Sequence, residues 1–126
     1  MTHIFTLDEA NAQLPRVRQL LLELQQARAL ILAARPDLAP VLQKAGTNGG
    51  SRRAGEMLAE FTRFEQALAA LQAIGCVLKE VDPGLVDFLH RLPNGREVYL
   101  CWRQGEERIE FWHELNSGFA GRQRLV

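Results

Sequence analysis

Residues 85–114 read LVDFLHRLPNGREVYLCWRQGEERIEFWHE, and the fold turns on how this stretch is paired with itself. Apolar residues alternate with polar ones here, the period of a strand rather than a helix. Two breaks carry turn chemistry. Pro93-Asn94-Gly95 fits a three-residue hairpin loop, a type I turn closed by glycine in the left-handed region. Gly105-Glu106 fits a two-residue loop with glycine first, the II′ pattern. Loop length fixes register. The first loop pairs His90 with Val98, Phe88 with Leu100 and Val86 with Trp102. The second pairs Trp102 with Ile109, Leu100 with Phe111 and Val98 with His113. Together they assign Val86, Phe88, Val98, Leu100, Trp102, Ile109 and Phe111 to one inner face.

Working outward, residues 76–81 supply another alternating segment, joined through Asp82-Pro83-Gly84. The predicted strands are residues 76–81, 85–92, 96–103 and 107–114. Upstream the period becomes helical. Thr6 and Glu9 form a capping box, in which hydroxyl and carboxylate each satisfy a backbone N–H at the helix start. Pro15 lacks an N–H and disfavours helix at Leu14, so a helix over residues 7–13 is expected, then a bend or continuation. Beyond it Val17, Leu20, Leu21, Leu24, Ala27, Ile31 and Ala34 make one apolar stripe, closed by Pro36. Residues 36–50 form a loose connection ending in Gly46-Thr47-Asn48-Gly49-Gly50, with Ser51 as a cap. A second helix over residues 52–74 carries Met57, Phe61, Phe64, Leu68 and Leu71, and Gly75 stops it. The expected architecture is α+β within a single domain, residues 1–126. An antiparallel helical hairpin (residues 5–75) packs on one face of a four-stranded antiparallel β-meander with a C-terminal tail (residues 76–126).

Composition narrows the function classes. At 126 residues with 47% hydrophobic content, the chain suits one domain with a real core. Its 15 basic and 15 acidic residues cancel, which removes the basic field of nucleic-acid and anionic-membrane binders. No apolar run approaches the ~20 residues that span a bilayer. Two cysteines are too few for a disulfide scaffold, and a reducing, cytoplasmic setting is expected.

The other face of the sheet carries the candidate chemistry. Extending the register gives one row of Lys79, Asp87, Cys101 and Glu110, and another of Arg91, Glu97 and Glu114. Between them runs an apolar row of Val77, Leu89, Tyr99 and Trp112, which needs a cover. The tail, with Phe119, Leu125 and Val126, or a second subunit would provide it, or the row serves as a platform for a ligand. Lys79 opposite Asp87 reads as a cross-strand ion pair. Cys101 has no histidine on its own face and is not expected to be an activated nucleophile. Cys76 and Cys101 fall on opposite faces, which argues against a disulfide. His90 and His113 flank Val98 on the inner face, where they could hold a divalent metal. No HExxH or CxxC spacing accompanies them. The segment GTNGGSRR (residues 46–53) places Ser51, Arg52 and Arg53 at a helix start suited to an anion, without a Walker pattern.

Several motifs carry a family resemblance: FTLDEANAQLPRVR (residues 5–18), GLVDF (84–88), LCWRQGE (100–106), FWHE (111–114) and GFAGR (118–122). In this order they resemble the bacterial family called domain of unknown function 2203. The resemblance implies no established activity, cofactor or partner. It singles out Asp87, Trp102, Gly105, Glu106, Trp112, His113, Gly118, Gly121 and Arg122, while His90 departs from its pattern. Gly118 and Gly121 also suit a tail that doubles back, bringing Arg122 to Asp87, Glu110 or Glu114. The leading expectation is a non-catalytic binding protein acting as a homodimer, its ligand unidentified, through Asp87, Tyr99, Glu106, Trp112 and Arg122. A second is a metal-binding protein or metal-assisted hydrolase using His113 with His90, Asp87 or Glu106. A third is anion or nucleotide binding at residues 49–53.

Overall fold

The computed structural model describes residues 3–40, 42–43 and 58–125. The Gly-rich connection, Met57 and the anion site expected at residues 49–53 lie outside them.

Helix α1 (Leu7–Ala34) starts at the capping box, with Thr6 accepting from the Glu9 N–H and Glu9 accepting from Thr6. It runs unbroken through Pro15. Pro15 lies on the solvent side, while Ala10, Leu14 and Val17 are buried around it and hold the helix across the missing bond. The stripe from Val17 to Ile31 is buried as expected, and Ala34 is exposed. Pro36 opens a 3₁₀ turn, Pro36–Leu38. Helix α2 (Leu58–Ile74) buries Phe61, Phe64, Ala67, Leu68 and Leu71. It ends at Gly75, whose φ of +98° is one only glycine adopts freely; a Cβ there would stand 2.7 Å from that of His3.

The sheet has five strands, not four, in the order β1 (Val77–Glu80), β2 (Leu85–Arg91), β3 (Glu97–Arg103), β4 (Phe111–His113) and β5 (Gln123–Arg124). All neighbours are antiparallel. The extra strand is the tail, which turns back at Gly118 (φ +69°) and pairs with β4. The β2–β3 hairpin follows the expected register in full, with Leu92 and Arg96 closing the loop. Leu78, Val86, Phe88, Leu100 and Trp102 face the helices and join their apolar stripes in one core.

The β3–β4 connection departs from expectation. Gly105, at φ +104°, is third rather than second in a turn closed by the Glu106 N–H on the Arg103 carbonyl. Pairing resumes only at Phe111. The intervening residues are tied to α1 instead: the Asn11 side chain accepts from the Ile109 N–H, Arg18 donates to the Glu107 carbonyl, and Ile109 enters the core. One additional residue is thereby taken up. Tyr99 lies opposite His113, Leu100 opposite Trp112 and Cys101 opposite Phe111. Because side chains alternate, a slip of one exchanges the faces of every β4 residue. Phe111 and Trp102 therefore look to opposite sides of the sheet.

Candidate metal centre on the outer sheet face

Directly opposed residues of an antiparallel pair project to the same face. Val77, Asp87, Cys101 and Phe111 thus form one outer row, and Leu89, Tyr99 and His113 the next. The expected apolar row of Val77, Leu89, Tyr99 and Trp112 does not form. Trp112 moves to the inner face and packs on the core, so the outer face lacks the Tyr99–Trp112 pair that was expected to need a cover. Lys79 stands two positions from Val77 rather than opposite Asp87, in the irregularity between Leu78 and Glu80.

The slip brings His113 to Asp87. Its ring reaches across β3 so that Nε2 lies 3.0 Å from Asp87 Oδ2. Nδ1 lies 2.7 Å from the Glu114 carbonyl oxygen, which only accepts, so Nδ1 carries a proton. One further proton sits between Nε2 and the carboxylate, since two lone pairs at that distance would repel. Cys101 completes the group. The ligand atoms of Asp87, Cys101 and His113 all lie within 4.8 Å of one another. Each residue is about 1% exposed, an unusual depth for two ionisable side chains and a thiol together.

Burial sets the protonation chemistry. Desolvation raises the Asp87 carboxyl above its usual range, opposed by the neighbouring His113, by Lys79 and by the Cys101 thiol. Burial, reinforced by the negative charge of Asp87, pushes the Cys101 thiol up to about 12, while Arg122 pulls the other way. At neutral pH Cys101 is therefore a thiol. A Cys–His nucleophile is not what these residues build.

A second group borders the first. Arg122 donates to Glu106 Oε2 at 2.6 Å, and its guanidinium lies 3.9 Å from the Phe111 ring centroid and 4.6 Å from that of Phe119. Its Nε is buried with no hydrogen-bond partner among the described residues. Arg122 thus meets Glu106, not the expected Asp87, Glu110 or Glu114. Glu106 also accepts from the Arg103 N–H, so the β3–β4 turn and the tail fix each other. On the remaining side the Lys79 ammonium sits 5.4 Å from the Tyr99 ring centroid, and Tyr99 packs at a tilt against His113 with centroids 5.6 Å apart.

Of the sequence-derived candidates, Asp87 and His113 converge, Tyr99 flanks them, and Glu106 and Arg122 pair beside them. His90 does not join. It lies opposite Val98 on the inner side, with Nδ1 2.7 Å from the Phe5 carbonyl oxygen, and so shares no face with His113. Cys101 is the member sequence reasoning set aside. Its place opposite Asp87 followed from the first hairpin loop; only the His113 register hid its role. An open cleft of about 410 Å³ is lined in part by Arg18, Leu22, Trp102, Gly105 and Glu106, the partner of Arg122. None of the three converging residues lines it.

No described helix is long and apolar enough to cross a membrane. The family model for the uncharacterised conserved protein DUF2203 matches residues 3–125. No curated protein and no solved structure is detectably similar.

Proposed function

The chain therefore belongs to the DUF2203 family of uncharacterised conserved proteins, and from its own geometry we propose that it is a metal-binding protein whose centre is Asp87, Cys101 and His113. The convergence of three different ligand types within 4.8 Å, all buried, carries this reading. Ligands around a tetrahedral ion with bonds of 2.0–2.3 Å stand about 3.5 Å apart, so the group needs to contract by only about 1 Å. The donor set is one carboxylate, one imidazole and one thiolate, suited to zinc or another borderline-soft divalent ion. The Nδ1–H bond to the Glu114 carbonyl is the outer contact that orients a ligating imidazole and leaves Nε2 for the ion. Binding would displace the proton shared by His113 and Asp87 and the proton of the Cys101 thiol. Three protein ligands leave one position for another molecule, the pattern of a reactive rather than a purely structural zinc site.

The test is a zinc titration of tag-free protein stripped with chelator, followed by metal content after desalting and by proton release in weak buffer. One ion per chain, one proton from the thiol and one from the His113–Asp87 pair are expected. Metal-free protein after loading, or equal uptake by Cys101→Ser and His113→Gln variants, contradicts the assignment.

A further inference from the structure

We infer that the remaining position of this centre takes a carboxylate, presented by a small carboxylic acid and gripped at its second oxygen by Arg122. The inference rests on the metal-centre reading and adds a ligand class to it. Arg122 is the residue that points to a ligand. Its planar guanidinium lies against Phe111 and Phe119, and Phe111 is directly opposite Cys101 in the sheet. Glu106 occupies Nη2, and Nε–H is buried without an acceptor among the described residues. A buried N–H of a charged group left unmatched costs free energy that an arriving oxygen recovers.

Charge balance selects the kind of anion. A divalent ion is neutralised by the Asp87 carboxylate and the Cys101 thiolate. Arg122 is neutralised by Glu106. The Lys79 ammonium, whose field reaches Asp87, has no ion-pair partner among the described residues and rests on Tyr99 instead. Among the described residues that leaves one positive charge, on Lys79 at the Tyr99 ring, without a counter-charge, which favours a monoanion over a phosphate dianion. A carboxylate also matches the planar edge of a guanidinium, with one oxygen for the ion and one for Nε–H.

Cobalt(II) in place of zinc makes both propositions visible in one experiment on the full chain. Sulfur-to-cobalt charge transfer and strong visible bands report the centre itself. Acetate, acetamide and inorganic phosphate are then titrated separately. Acetate is expected to shift the visible bands saturably, with acetamide and phosphate ineffective. Arg122→Gln should keep the cobalt spectrum and weaken acetate by about ten- to a hundredfold, the worth of a charge-assisted hydrogen bond. Lys79→Met, at an exposed position, should weaken it by about threefold. A normal cobalt spectrum that acetate does not change overturns the carboxylate and leaves the centre standing. So does a response to phosphate alone, or unaltered acetate affinity in Arg122→Gln. Absence of any cobalt–thiolate spectrum in the wild-type chain overturns the centre and its ligand together.

Discussion

Replacing Asp87 with asparagine separates what the buried carboxylate does for folding from what it does for an ion. In the metal-free chain the amide can serve His113 as well as the carboxylate does. Its N–H donates to Nε2 while Nδ1–H keeps the Glu114 carbonyl, and no charge is buried. Burial raises the Asp87 carboxyl, so the fold favours its protonated form. That contribution is present below the ordinary carboxylate pKa and is lost as pH rises through the raised value. At pH 8 the wild-type apo chain carries the cost of a desolvated carboxylate and the variant does not. Asp87→Asn apo protein should therefore melt at or above the wild-type temperature. Zinc reverses the order. A ligand at a hundredfold excess over its Kd adds about 2.7 kcal/mol to stability. For a domain of this length that is about 10 °C in Tm. Wild type should gain that shift and Asp87→Asn should gain almost none. Tryptophan fluorescence follows the melt, since Trp102 is fully buried in the core and Trp112 packs against it. A zinc-dependent shift of equal size in the variant would refute the reasoning, as would wild-type protein that zinc leaves unmoved.

Four further outcomes follow from the packing. Cys76 and Cys101 are raised by burial to about 11 and about 12, so neither should react with iodoacetamide at pH 8 until the chain unfolds. Because the fold favours both thiols protonated, their contribution to stability holds below the ordinary thiol range and falls as pH rises toward those values, measurable by denaturant midpoints. Gly105→Ala, at φ +104° in open space, should cost about 1 kcal/mol of stability through backbone strain, whereas Gly84→Ala should cost clearly more. The Cβ at residue 84 would stand 2.7 Å from Leu21 Cδ2; equal urea midpoints for the two variants would contradict this. Phe64→Ala, at a fully buried position of α2, should cost about 3–5 kcal/mol by the same assay.

Much of the architecture was legible because local chemistry and tertiary packing agree. The capping box, the two helical stripes and the Pro93-Asn94-Gly95 loop each specify one arrangement, and the β2–β3 register follows from loop length alone. Continuity of α1 through Pro15 was not legible, since it depends on the buried residues flanking a solvent-facing proline. The β3–β4 register failed for a definite reason. Ile109, Phe111 and Trp112 put large apolar groups at both parities of residues 109–112, so polarity could not tell one face from the other. The choice is made by Asn11 and Arg18 of α1, roughly ninety residues away in sequence, which hold the loop and take up the extra residue. The candidate centre was hidden by the same slip. Asp87 and Cys101 were already opposed on the outer face, and only His113 stood on the wrong side.

X-ray absorption at the zinc edge of the loaded wild-type chain tests the central claim most directly. The account predicts a single sulfur neighbour at about 2.3 Å with nitrogen and oxygen neighbours at about 2.0–2.1 Å, and loss of the sulfur in Cys101→Ser. A zinc shell without sulfur, or one containing two sulfurs, would contradict it.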